Sequence, residues 1–338
     1  MSILLSHNSS LERLRSVPPQ VDTAHTVPDV LPMSQFAKAE RMLSERDFRE
    51  LGLQQRPIHK LVPSSRHANK GDTVCVHRCG LEELPSGLVR RITNGLYCAG
   101  PEMTYIQMAG ETSLIGAVVL GHEFCGTYSH FAQMISGFYE RPPLTSVSRL
   151  EEAAVTLSGM YGAAAARTAL RWVRDGSASP METVVSCMLT MPNDLGGFGF
   201  VLPKLNHKVK LNAAEARIAG TDEPRIDTAY PSSLVGVEFD GLDYHRDAEH
   251  DRMRREALAH KGWAIYVLNV DELTTYSKLK EKVALLDKIP RRRGQGMPSD
   301  RDARYLLKRL LAATRCGVGI NAALFGTDVP RGKIKVHL

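Results

Sequence analysis

Apolar positions along the chain switch between a helical period and a strand period, and those switches mark its elements. "SQFAKAERMLSERDFREL", residues 34–51, repeats at helical spacing. "GLVRRIT" and "GLYCAG" flank Asn94-Gly95, which predicts a hairpin. Pro101 and Glu102 then suit the first turn of a helix. Ser148 and Glu151 read as a capping box ahead of an Ala-rich helix to about Arg174, with Val155, Leu157, Met160, Leu170 and Val173 as its apolar face. Beyond Ser179 the order becomes more telling. A helix in "SPMETVVSCMLTM" precedes strand-like "FGFVL", "HKVKLN", "RIDTAY" and "LVGVEFD"; then come a helix in "DAEHDRMRREALAHKG", a strand in "WAIYVLNV" and a helix over 271–288. Such an order predicts an α/β fold with a mixed sheet flanked by helices. Residues 1–32 lack periodicity and read as a poorly ordered arm.

Length sharpens this picture. At 338 residues the chain exceeds one ordinary domain of roughly 100–200 residues. The pattern divides it into the arm, a small α+β domain over 33–140, a connecting helix over 148–176, an α/β domain over 177–290 and a basic helical segment over 291–338. With 43% apolar and 24% charged residues the chain can build cores. It contains no run of about 18 apolar residues, and its first residues do not read as a secretory signal. The expectation is a cytoplasmic protein without a membrane partner.

Six cysteines in so long a chain suit free thiols better than a disulfide framework. "CVHRC" at 75–79, with Cys98 beyond, hints at zinc but offers no second tight pair, so thiols are the preferred reading. "GHEFCG" lacks the second His of a metalloprotease helix. The net charge of +6 is concentrated: residues 289–338 carry eleven Lys and Arg against three Asp, a surplus of 8. A nucleic-acid backbone is the partner such a patch suits, with a solvated tail as the plain alternative.

The chemistry gathers in "RIDTAYPSSLVGVEFDGLDYH", where carboxylates interrupt segments otherwise fit for burial. Glu238 and Asp240, two apart on a strand, share a face, and Asp227 lies on the strand just before. Three converging carboxylates repel unless a cation joins them, and oxygen donors select a hard divalent ion, Mg²⁺ or Mn²⁺. Such an ion points to phosphodiester hydrolysis.

That stretch, with "DRMRREALAHKGWAIYVLN", resembles the Vsr-related branch of the PD-(D/E)XK nuclease superfamily over residues 177–275. The resemblance implies a restriction-endonuclease-like fold and a Mg²⁺-dependent DNA endonuclease, with RNA as an alternative substrate. It assigns Asp227, Glu238 and Asp240 to the metal, and His245, Asp251 and Glu182 to further polar positions of the site. Asp240 stands where the superfamily usually has a lysine, and Arg252, Arg255, Lys208 and Lys210 are candidates for the replacement cation. His245 is a candidate base. Each has a plainer reading: Glu182 as a capping partner of Ser179, His245 as a surface histidine, Asp251 as part of a solvated helix face.

"LPSGLVRRITNGLYCAGPEMTYIQMAG" resembles, more loosely, part of the AbiEi-type antitoxin and transcriptional regulators over residues 85–130. A non-catalytic DNA-binding regulator is therefore the second expectation, and a structural partner without nucleic acid the third. For either nucleic-acid reading, Arg252, Arg255, Arg291, Arg292, Arg293, Arg304 and Lys308 are the expected phosphate contacts. Oligomeric state is not legible.

Overall fold

A computed structural model of the protein describes residues 2–16, 22–37, 48, 51–53, 56–64, 73–131, 136–241 and 248–314. These form two compact units, one drawn from residues 2–124 and 141–173, the other from residues 125–140 and 174–314. The expected boundary near 140 therefore shifts, since residues 125–140 join the second unit and the Ala-rich segment joins the first.

The first unit is built on a sheet whose strands come from distant parts of the chain. In chain order its strands and helices are β1 (Ile3–Leu5), α1 (His7–Ser16), β2 (His25–Thr26), β3 (Leu31–Pro32), β4 (Ile58–Val62), β5 (Val74–Arg78), β6 (Glu83–Leu84), β7 (Val89–Thr93), β8 (Leu96–Ala99), α2 (Pro101–Glu111), α3 (Leu114–Cys125), α4 (Val147–Thr156) and α5 (Ala163–Leu170). Six strands pair in the order β2-β7-β8-β1-β4-β5, and β3 pairs with β6. β1 runs parallel to β8 and antiparallel to β4, so the segment expected to be an arm lies inside the sheet. Leu4 and Leu5 are fully buried. A three-residue apolar run carries too little local signal to be seen as a strand; its partners at 58–62 and 96–99 supply the burial that makes it one. The hairpin at Asn94-Gly95 forms as β7 and β8, with Gly95 at φ 74°.

Two helical expectations are corrected here. The Ala-rich helix breaks at "LSGMYG" into α4 and α5, where Gly162 takes φ 98° and a Cβ would meet the Ile106 carbonyl oxygen at 2.1 Å. Only a glycine fits that approach. The cap of α4 is Ser146, whose side chain accepts from the Arg149 amide, rather than Ser148. Leu157, Met160, Leu170 and Val173 are buried as expected, but Val155 is 66% exposed. Of the helix expected over 34–51, the described residues include a 3₁₀ turn at Met33–Phe36 and helical Phe48, and most of the remainder lies outside them.

The second unit holds β9 (Tyr128–His130), β10 (Phe138–Glu140), α6 (Pro180–Thr190), β11 (Lys204–Lys208), α7 (Ala213–Ala219), β12 (Arg225–Tyr230), β13 (Val235–Asp240), α8 (Ala248–His260), β14 (Ala264–Asn269), α9 (Val270–Thr274), α10 (Tyr276–Ala284) and α11 (Asp300–Thr314). β11, β12, β13 and β14 form a mixed sheet in that order: the first three antiparallel, β13 and β14 parallel. α6 packs on β12 and β13, α8 packs on β14 and α7, and α11 packs on α6. The expected mixed sheet flanked by helices is thus present. Ile226, Ala229, Ala257, Leu258 and Trp263 share one buried cluster with Val209, Leu211 and Ala219.

Local chemistry explains the edges of these elements. Ser179 caps α6 by accepting from the Glu182 amide, with Pro180 at the first helical position. Ser299 caps α11 by accepting from the Asp302 amide at 3.1 Å. α7, absent from the expectation, is a single capping box on Asn212 and Glu215 followed by a short apolar face. "FGFVL" makes only an isolated bridge, Phe200 to Arg291, and the helix expected over 271–288 divides at Thr275 into α9 and α10. Among the described residues no helix is long and apolar enough to cross a membrane.

Candidate functional site

The acidic site is assembled by strand register. β12 and β13 pair as Thr228 with Val237 and Ala229 with Gly236, and continuing that register sets Asp227 opposite Glu238. Directly opposed residues of an antiparallel pair point to one face, so both carboxylates project together. The Phe239 amide donates to Asp227 Oδ2 at 3.1 Å and ties the two strands at this point. Glu182 enters from the first turn of α6, the helix lying on these strands.

Carboxylates so placed raise the affinity of Asp227 for its proton. Burial, then the charges of Glu182 and Glu238, push Asp227 up to about 7; the Phe239 amide and Arg254 act in the opposite sense. Glu182 is also raised, chiefly by burial, although the Ala178 amide at 2.9 Å and the Asn206 side-chain amide at 2.6 Å both donate to its Oε2. Among the described residues no hydrogen-bond donor reaches Asp227 Oδ1.

Glu238 differs from both. Arg254, from α8, donates to Glu238 Oε1 at 2.9 Å and Oε2 at 2.8 Å, a bidentate pair whose acid is only 7% exposed. The same guanidinium donates to the Arg225 carbonyl at 2.9 Å and lies 3.8 Å from Asp251. The cation beside the acids in this structure is Arg254, one of the residues the sequence left unmarked. Of the candidates, Arg252 pairs with Glu249 and Glu256 on the exposed face of α8, and Lys208 pairs with Glu223. Lys210 is exposed and Arg255 half-buried. Spacing along α8 does not single out Arg254, because Arg255 also stands one turn from Asp251.

Asp240 shares the Glu238 face by alternation but is exposed at the end of β13. His245 lies outside the described residues. Glu182, Asp227, Glu238 and Arg254 are brought together; Asp240 sits at the margin.

Hard oxygen donors fit a Mg²⁺-class ion at Asp227 and Glu182, and such an ion takes only one or two protein carboxylates. Glu238 fits less well, because both its oxygens accept from Arg254. Among the described residues, the groups of three His, Cys, Asp or Glu whose ligand atoms lie within 4.8 Å of one another are His59, Cys75 and His77, and His7, His77 and Glu111, all in the first unit. The expected trio of Asp227, Glu238 and Asp240 is not among them.

The basic residues divide similarly. Arg291 donates to the Phe198 carbonyl and to the Gly296 carbonyl at 2.9 Å and lies over the Phe200 ring at 4.3 Å. Arg292 donates to the Thr190 carbonyl. Both fasten the 291–297 segment to the end of α6 and the 198–200 stretch. Arg304 pairs with Asp300 at 2.6 Å, while Arg293 and Lys308 are exposed. The charge surplus is thus partly consumed in the fold. No family model matches the chain, and neither a curated protein nor a solved structure matches it significantly.

Proposed function

We propose that the protein is a divalent-metal-dependent endonuclease acting on DNA, with a restriction-endonuclease-like core of the PD-(D/E)XK kind in its second unit. The observation that carries this reading is the pairing of Asp227 and Glu238 on one face of two adjacent strands, with the charge of Glu182 from α6 acting on Asp227 and Arg254 bound to Glu238. The helix, three antiparallel strands, helix and parallel strand that deliver them support it further, because these acids fall where the resemblance expects them. A bound Mg²⁺ or Mn²⁺ supplies Lewis acidity toward a phosphodiester and a more acidic water. Asp227 and Glu182 offer that ion its donor oxygens. The ion takes Asp227 as its anion, so metal binding competes with the proton this carboxyl holds up to about pH 7. Arg254 holds Glu238 in place and adds a fixed positive charge beside the acids.

A second reading is favoured by the same arginine: with Glu238 already neutralised, the core serves as a scaffold in a non-catalytic DNA-binding regulator. Supercoiled plasmid incubated with Mg²⁺ or Mn²⁺ separates the two. The endonuclease nicks or linearises it, Asp227→Ala and Glu182→Gln abolish the cutting, and all three proteins retard DNA equally on a gel. Intact plasmid with equal retardation by all three establishes the regulator instead, and intact plasmid without retardation removes both.

A further inference from the structure

We propose that His59, Cys75 and His77 form a binding site for a soft transition metal of the zinc(II) class in the first unit. The placement follows from two strands. Cys75 and His77 are two apart on β5 and so share a face, and β4 runs parallel in a register that sets His59 beside Cys75 and Leu61 beside His77. The ligand atoms meet: His59 Nδ1 lies 2.8 Å from His77 Nε2, and Cys75 Sγ lies 3.6 Å from the same nitrogen. Tetrahedral zinc, with bonds of about 2.0–2.1 Å to nitrogen and about 2.3 Å to sulfur, sets its ligand atoms roughly 3.3 Å apart for two nitrogens and roughly 3.6 Å for nitrogen and sulfur. The Cys75 contact already has that length, and the imidazole pair needs to open by about half an ångström.

Neighbouring groups complete the surroundings. The His7 ring stacks on His77 with centroids 3.5 Å apart and planes 13° from parallel, fixing its orientation. His7 and Glu111 form a separate group with His77 that does not include His59 or Cys75, so the fourth position is left to water. Imidazole with thiolate selects zinc or copper(I) over magnesium, which separates this site from the acidic one. Coordination takes Cys75 as thiolate and releases its proton to solvent.

On this proposal the hint of zinc in "CVHRC", set aside in favour of thiols, concerns Cys75 and not the partner its spacing suggested. Cys79 is buried at 2% exposure, and the other two ligands are histidines, one of them from the neighbouring strand.

Cobalt(II) titration of the full chain, followed by zinc competition, tests the site. The wild type is expected to show thiolate-to-cobalt charge transfer in the near ultraviolet and tetrahedral bands in the visible, both erased by zinc. Cys75→Ser removes the charge-transfer band, and His59→Gln and His77→Gln weaken zinc binding about 100-fold or more, more than outer-shell changes do. Cys79→Ser leaves spectrum and affinity unchanged, and circular dichroism confirms that each variant is folded. No cobalt spectrum in the wild type, an unchanged band in folded Cys75→Ser, or loss of the band in Cys79→Ser overturns the assignment.

Discussion

The acidic pocket of the second unit and the histidine cluster of the first crowd like groups together, yet they treat charge in opposite ways. Among the acids Asp227 holds its proton, pushed up to about 7; among the imidazoles His7 loses its own, pushed down to about 3. Both responses avoid buried net charge, but only the neutral imidazoles are left with lone pairs ready for a cation, since a protonated carboxyl must first give its proton up. The difference lies in the partner the fold supplies. The acids have Arg254, a fixed cation on a rigid helix, whereas the imidazoles face a thiol and Glu111. Arg254 hydrogen-bonds only one acid of the three.

Removing that arginine should break the comparison with the largest effect. Arg254→Ala leaves Glu238 buried and unpaired, beside Asp227 and Glu182, and is expected to destabilise the protein by about 3–5 kcal/mol. Glu238→Gln added to it should recover most of the loss, since the residual amide carries no charge. Urea denaturation of the two variants and the wild type measures both. Equal stabilities would mean that the bidentate pair adds nothing beyond surface contact.

The next effect concerns Asp227 and has the opposite sign. Its carboxyl in the folded chain titrates near 7, above the ordinary value of 3.8. Its contribution to stability is therefore fully present below pH 3.8 and is lost as the pH rises through about 7. A tenfold change in proton affinity is worth roughly 1.4 kcal/mol, so Asp227→Asn should stabilise the protein at pH 8 by about 2–4 kcal/mol and flatten the pH dependence of stability between about pH 4 and 7. Mg²⁺ should recover part of the same stability for the wild type at pH 8 and none of it for the variant. Melting curves across pH, with and without Mg²⁺, read both effects.

How far the sequence discloses these sites follows from the range of the contacts that build them. β12, β13, α8 and β14 are successive elements, so alternation and turn chemistry were enough to place Asp227 beside Glu238. Arg254 was overlooked because charges at helical spacing on α8 look alike until one face is known to be buried. The first unit is harder: β1 finds its partners about 55 and 90 residues onward, and β4 pairs with β5 across a 16-residue offset in register. Nothing local in "ILL" or in "IHKLV" reveals that pairing. His59 and Cys75 therefore become neighbours only once the sheet exists, whereas the acids are neighbours by virtue of a tight turn.

Asp240 yields the smallest stability effect and sharpens the comparison within the acidic group itself. It stands two residues beyond Glu238 on the same face, but it is exposed, and among the described residues no ion pair reaches it. Asp240→Asn should change stability by no more than about 0.5 kcal/mol, the range of ordinary surface substitutions. If Asp240 serves the metal at the open margin of the pocket, the same variant cuts plasmid more slowly and needs more Mg²⁺ for half-maximal cutting. Cleavage measured against Mg²⁺ concentration decides this: an unchanged Mg²⁺ dependence confines the metal to Asp227 and Glu182, whereas a rightward shift at unchanged stability adds Asp240 to them. A carboxylate that costs the fold nothing to lose, yet is missed by the ion, is one that the chain keeps for chemistry.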